Sequence, residues 1–168
     1  MKKKNLILLG TLLSVFLLCV YYFYPHNKLE YHGKIDKIQV LKSKRKLILL
    51  NGKQIINTYT ISLGKNPVGA KEKKGDLKTP EGLYRVSYKQ VHPKYHRALA
   101  INYPNERDNK NGRTGSGILI HGINKDYRIW GRLHRWRDWT EGCIALTNEE
   151  IEEIYSIVSP GTQVEILP

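Results

Sequence analysis

Two side chains in this sequence could carry covalent chemistry at neutral pH, and both stand beside a glycine. Cys143 follows Gly142 in the stretch Asp138-Trp-Thr-Glu-Gly-Cys-Ile-Ala-Leu146, and His121 precedes Gly122. The chain holds two cysteines, and the other, Cys19, lies in an apolar run near the N-terminus. A free thiol ionises near pH ~8.5, so nucleophilic use of Cys143 calls for a base. An imidazole within hydrogen-bond reach takes the thiol proton and later delivers it to a leaving amine. A glycine before the nucleophile permits a tight turn and brings backbone N–H groups near the reacting carbonyl. Such oxyanion donors are commonly worth ~3 kcal/mol each. The same two residues also admit a plainer reading, as a buried inert thiol and a satisfied core histidine.

Between them, residues 124–139 interleave Arg128, Arg132, Arg135 and Arg137 with Trp130, Trp136 and Trp139. As a lid over a cleft, this segment would offer guanidinium groups as bidentate partners for peptide carboxylates. The alternative is an amphipathic segment with its tryptophans on the core and its arginines in water. His134 is expected at the surface, with a place in the site as the alternative. His92 and His96 are four apart, a spacing that ligates zinc from one helix face. Pro93, however, stands where an H-E-x-x-H motif has glutamate, and a zinc hydrolase would leave Cys143 idle. No metal or cofactor is expected.

The elements that must position these residues read mostly as strands. Ile38 and Val40 alternate with polar neighbours, and Lys46 to Leu50 is short and apolar. Asn51-Gly52 is the preferred pair for a type I′ hairpin turn. Ile55, Tyr59, Ile61 and Leu63 fall on odd positions after it, which predicts a half-buried strand. Residues 64–82 form a Gly/Lys/Pro-rich loop. Leu83–Tyr88, Ala98–Tyr103 and Ile118–His121 are further strands, and Pro104–Gly117 is an exposed loop. Thr147 and Glu150 make a capping box, and Ile151, Ile154, Tyr155 and Val158 recur at helical spacing. Val164 and Ile166 close the chain with a last strand. Short strands, Gly/Pro turns and one or two helices predict a mainly β, sandwich-like domain.

The N-terminus supplies a compartment. Residues 1–5 form a cationic tail, and 6–24 an uncharged run just long enough to cross a hydrocarbon core of about 30 Å. The lysines should remain cytoplasmic, with Tyr21, Tyr22 and Tyr24 at the far interface. No A-x-A-like site favours cleavage. The expected organisation is a signal anchor, a linker over 25–34 and an extracytoplasmic domain over 35–168. The domain holds one thiol, which speaks against a disulfide framework. A formal charge of +13, from 28 basic and 15 acidic residues, fits wall polymers and lipid head groups outside the membrane. The topology argues against nucleic acid.

The region from Ile38 onward resembles the L,D-transpeptidase (YkuD-type) catalytic domain. The matching pieces are Gly75–Val86 (GDLKTPEGLYRV), Ile101–Asn105 (INYPN), Ile118–Gly122 (ILIHG) and Asp138–Tyr155, with their His-Gly and Thr-x-Gly-Cys motifs. The resemblance implies cysteine acyl transfer on peptidoglycan stem peptides. Cys143 would be the nucleophile and His121 the base, then the acid. Gly142, Cys143 and Thr140 would form the oxyanion hole, with Gly122 in support. Arg132, Arg135, Arg137 and Trp139 are the substrate-binding candidates. A thioester would form with release of D-alanine and pass to an amine, giving a cross-link or an anchored protein. Transfer to water would make the chain a carboxypeptidase, and a non-catalytic wall-binding module is the third reading. Many members carry His where this chain has Glu141 and Arg where it has Ala145. These departures bear on substrate contacts and acceptor choice.

Overall fold

The computed structural model describes residues 3–23 and 29–168. Helix α1 (Lys3–Phe23) opens the chain. Over Lys3–Tyr21 it reaches a mean hydropathy of 1.9 with none of that window buried, so it is long and apolar enough to cross a membrane or to serve as a signal helix. Of the expected tyrosine belt, Tyr24 and the side chain of Tyr22 lie outside the described residues.

The strands are β1 (Lys37–Leu41), β2 (Lys46–Asn51), β3 (Gln54–Thr60), β4 (Gly82–His92), β5 (His96–Ile101), β6 (Leu119–His121), β7 (Ile144–Ala145) and β8 (Gln163–Leu167). They form one mixed ladder of eight in the order β3-β2-β1-β8-β4-β5-β6-β7. The ladder turns a corner at β4, which pairs with β8 through Gly82–Arg85 and with β5 through Val86–His92. A register shift between Val86 and Tyr88 marks the bend, the usual device by which a strand passes from one packed layer to the next. The two ends of the ladder then meet. Ser62, just beyond β3, bridges Ala145 of β7, and Gly64 bridges Thr140. The predicted sandwich-like architecture is what forms.

Its interior is continuous. Ile38 and Val40 of β1, Leu47 and Leu49 of β2, and Val164 and Ile166 of β8 pack with Ile120 of β6 and Ile144 of β7. Helix α3 (Asn148–Ile157) closes the core with Ile151 and Ile154. Burying such side chains contributes about 1.5–3 kcal/mol apiece. The Thr147–Glu150 capping box is present, with both reciprocal bonds made.

Three local expectations need correction. The β2–β3 turn is Gly52-Lys53, because Asn51 pairs with Gln54; Gly52 supplies the positive φ of 59°. A bulge at Leu49/Leu50 shifts the register, so Ile55 faces solvent at 60 % exposure while Tyr59, Ile61 and Leu63 stay buried. The exposed loop 104–117 contains a short helix, α2 (Glu106–Lys110), capped by Asn105 and by a fully buried Asp108 that binds Arg113.

Candidate active site

Strand pairing sets His121, at the end of β6, near Cys143, the residue just before the neighbouring β7. β6 and β7 run parallel, with Ile120 opposite Ile144 and His121 opposite Ala145. Alternation sends Ile120 and Ile144 into the core and leaves Leu119, His121 and Cys143 on the other face. On that face Ala98 of β5 lies opposite His121, and Ala100 opposite Leu119. These small residues, with Tyr95, pack beside Leu119 and Cys143 in a second apolar cluster. Cys143 is only partly buried. Its Sγ accepts the Leu119 N–H at 3.4 Å and lies 3.6 Å from the Gly117 carbonyl, to which the thiol donates.

The turn before Cys143 packs on the Lys78 backbone and the Ile118 side chain. Gly142 has φ +131°, and a Cβ on it would sit 2.6 Å from the Lys78 carbonyl oxygen and 3.3 Å from Ile118. Only glycine fits both the conformation and the space. The Lys-Thr-Pro-Glu-Gly stretch therefore serves as the wall behind Cys143. It is held by Lys42, 2 % exposed, which donates to the carbonyls of Gly69 and Thr79 and to Glu81. Thr79 is also buried and accepts the Gly64 N–H.

Thr140 locks the turn from inside. Its hydroxyl donates to the Cys143 carbonyl at 2.7 Å and accepts the Gly142 N–H at 3.1 Å. The Gly142 N–H is thus already engaged, which leaves the Cys143 N–H as the turn donor that Thr140 does not occupy. Thr140→Val keeps the shape and strips both bonds. It is expected to lower stability by about 1–3 kcal/mol, read as a shifted denaturation midpoint. Thr140→Ser should restore most of it; equal midpoints for all three proteins would remove this role.

His121 is buried among aromatics. Tyr95 stacks on its ring at 4.1 Å between centroids, and Trp139 meets it edge-on at 5.8 Å. Nδ1 lies 2.6 Å from the Gly122 carbonyl. A carbonyl can only accept, so Nδ1 carries the proton and Nε2 keeps the basic lone pair. Gly122 lies tightly against Asn148, Tyr95 and Ile151, which fixes that carbonyl in place. Burial pulls the imidazole down to about 4, against the upward pull of the Gly122 carbonyl and with a smaller contribution from His92. Burial also pushes the Cys143 thiol up. The Leu119 N–H and the Lys71 ammonium oppose it, and Glu141 adds to it. At neutral pH the resting pair is therefore a thiol and a neutral imidazole.

His134 is buried rather than at the surface, 8 % exposed. Its Nδ1 accepts the Trp139 indole N–H at 3.3 Å, and the Ser62 hydroxyl lies 3.3 Å away. Its Nε2 is buried without a partner among the described residues. Burial, helped by Arg135 and His121, pulls it down to about 3. Both imidazoles bind a proton more readily in the unfolded chain, where the ordinary value near 6.5 applies. Below that pH the unfolded state takes up protons that the native state refuses, so stability falls as pH falls from about 6.5 toward 4. The slope approaches about 1.4 kcal/mol per pH unit for each group. Denaturant midpoints between pH 7 and 4.5 should drop steeply, and the drop should shrink in His134→Phe. A flat profile would contradict it.

The remaining candidates separate. Arg135 is engaged with Glu150 of α3, Arg137 is exposed, and the Arg132 Nη1 donates to the Tyr21 carbonyl at 3.1 Å. Trp139 is the one of this group that touches His121. Residues 125–136 form a 3₁₀ element kinked at Gly131. His92 and His96 do not share a helix face; they face each other across the β4–β5 hairpin. His92 Nδ1 accepts two backbone N–H groups, and His96 pairs with Glu152 at 2.8 Å. Among the described residues no group of three or more His, Cys, Asp or Glu could hold a metal ion. Ala145 is fully buried, with its N–H and C=O both bonded to Ser62, whereas Glu141 is exposed.

Two contributors carry no local sequence signal. Tyr95 comes from the hairpin turn to stack on His121. The Lys71–Asp76 pair, at 2.6 Å, is buried on both sides and organises the loop that reaches Lys78. Asp76 also accepts the N–H groups of Glu72, Lys73 and Lys78. Those bonds, with the Lys71 ammonium, overcome burial and hold its carboxyl well below the usual range.

Comparison with known proteins shows the family to which the chain belongs. Residues 35–166 match the family model described as the L,D-transpeptidase catalytic domain. The chain is 32% identical over 154 residues to "Putative L,D-transpeptidase YafK" of Escherichia coli K12, covering 84% of this chain and 57% of that protein. The solved structure of the helical cell shape determining protein Pgp2 from Campylobacter jejuni has 30% identity and a TM-score of 0.65, covering 84% of this chain and 51% of that one. Bd1075 of Bdellovibrio bacteriovorus has 30% identity and a TM-score of 0.60, covering 80% and 48%. The chain thus spans about half the length of these relatives.

Proposed function

The chain belongs to the L,D-transpeptidase catalytic domain family, and on that premise we propose that it is a membrane-anchored cysteine acyl-transferase of peptidoglycan stem peptides. The observation that supports the reading best is that a partly exposed Cys143 thiol and a His121 of fixed tautomer lie on one face of the β6–β7 pair.

Because both groups rest neutral, deprotonation accompanies attack. Sγ of Cys143 bonds to the carbonyl carbon of the stem peptide while His121 Nε2 takes the thiol proton. The Cys143 N–H donates to the resulting oxyanion, and the Leu119 N–H stabilises negative charge on sulfur. Collapse breaks the C–N bond, and the imidazolium returns its proton to the departing D-alanine amine. A thioester remains. An acceptor amine, losing its proton to His121, attacks the thioester and releases Cys143. Trp139 and Tyr95 exclude water from the imidazole. Of the candidate guanidinium groups before Trp139, Arg135 is held by Glu150 and Arg132 bonds the Tyr21 carbonyl, which leaves the exposed Arg137 to meet a substrate carboxylate.

Intact-mass measurement of the full chain after incubation with tetrapeptide muropeptides tests this. The expected species is an adduct on Cys143 equal to the donor minus D-alanine. Dimeric muropeptides then indicate an amine acceptor, and trimmed tripeptides indicate water, which would make the protein an L,D-carboxypeptidase. Unchanged muropeptides and an unmodified Cys143 would overturn the reading in favour of a wall-binding module.

A further inference from the structure

The 3₁₀ element over Lys125–Trp136 carries an apolar stripe that the site does not use. A 3₁₀ helix repeats every three residues, so side chains three apart eclipse one another. Tyr127, Trp130, Leu133 and Trp136 have that spacing. The kink at Gly131 divides them into two pairs, and all four are exposed, Trp136 at 90 % and the others between 44 % and 53 %. The opposite side of the element is turned inward through His134, and Arg135 is held by Glu150. Exposed tryptophans of this size, grouped on one short element, mark a surface meant to be covered.

Two further observations say by what. Arg132 of this element donates to the main-chain carbonyl of Tyr21. Tyr21 closes the apolar window of α1. A helix beginning at Lys3 and rising 1.5 Å per residue reaches the far side of a hydrocarbon core of about 30 Å near that residue. The element therefore lies at the depth of a head-group layer, where tryptophan and tyrosine are preferred. The charge also fits. Lys125, Arg128, Arg132, Arg135 and Arg137 stand against Asp126 alone within residues 125–137, as on helices that lie in an anionic interface.

We propose that the stripe Tyr127, Trp130, Leu133 and Trp136 docks into the outer head-group layer of the bilayer that holds α1, with the exposed Lys125 and Arg128 against anionic lipid phosphates. The proposal rests on α1 acting as an anchor. Trp139, three residues beyond this element, touches His121, so docking would place the His121 side of the domain near the bilayer.

The chain contains three tryptophans, which makes the test direct. The full chain is reconstituted into phosphatidylglycerol-containing vesicles, with and without lipids brominated just below the head group. Flotation with the vesicles reports the anchor, and tryptophan quenching by bromine reports docking. The expected result is strong quenching that is lost in Trp130→Phe/Trp136→Phe, where Trp139 remains as an unquenched emitter. Weaker quenching is expected in purely zwitterionic vesicles. A chain that floats with its fluorescence indifferent to bromine overturns the docking and leaves the anchor standing. A chain that does not float overturns both. Fluorescence changed by wall fragments but not by brominated lipid would assign the stripe to the glycan and overturn the proposal. Because none of these readouts involves turnover, failure of the acyl-transfer chemistry is seen separately, in the muropeptide assay.

Discussion

Cys143→Ser lowers turnover on tetrapeptide donors by about 10⁴-fold or more, the scale on which removal of a nucleophile acts in enzymes that form acyl intermediates. The reason lies in the resting protonation states. Burial holds His121 near 4 and raises the thiol, so the base is weak and the nucleophile must give up its proton at the moment of attack. Sulfur tolerates this because a thiol is acidic enough and polarizable enough to meet a weak base part-way. A serine hydroxyl, far less acidic, does not. Cys143 is partly exposed, and its bonds to Leu119 and Gly117 have an oxygen counterpart, so the serine variant should fold with an unchanged thermal midpoint. The measurement is release of D-alanine together with intact mass. Turnover within tenfold of the parent, or an adduct that persists in Cys143→Ala, would remove sulfur from the mechanism.

Gly142→Ala should be as damaging by a different route. At φ +131° an L-residue is strained by roughly 1–3 kcal/mol. The added Cβ would also come within 2.6 Å of the Lys78 carbonyl, a backbone atom that cannot rotate away, and overpacking of that kind costs about 1–3 kcal/mol more. The combined loss, roughly 2–6 kcal/mol, lowers the melting temperature by about 10 °C for a domain of this size. Because the two backbones must part, the Cys143 N–H also leaves its position, and adduct formation should fall even below the melting transition. An alanine variant with parental melting and parental adduct rates would show that the contact with Lys78 is not binding on the turn.

How much of this was legible beforehand depends on whether a feature is local. The capping box at Thr147 and Glu150, the alternation through β1, and the apolar face of α3 are written within a few residues and form as read. The β2–β3 hairpin was legible as a hairpin, but its bulge was not. Whether Ile56 is accommodated as an extra residue depends on what β2 opposes, and that put Ile55 outside. The capping box of α2 has Asp at its fourth position, and its polar run reads as loop because nothing in it tells that Asp108 will be buried. In the site, Cys143 and His121 stood out by type and by their glycines, whereas their adjacency is a property of the β6–β7 pairing. The same holds for His134. Read alone among arginines it looks like a surface residue, and only the approach of Ser62 and Trp139 makes it an interior one. Tyr95, Lys42 and the Lys71–Asp76 pair were invisible for a related reason, since nothing in their immediate neighbours tells which distant backbone they will support.

The meeting of Ser62 with Ala145 has a consequence for how the protein matures. β7 is two residues long and owes its existence to partners far away along the chain, Ser62 on one side and Ile120 and His121 on the other. Contacts of such long range form late, after the local hairpins have reduced the cost of closing the intervening loops. A chain in which this seam is still open therefore lacks the β6–β7 pairing that sets Cys143 and His121 on one face, and gains it only when the seam zips shut. Amide exchange at Ser62 and Ala145, whose N–H groups each bond the other's carbonyl, would time that event.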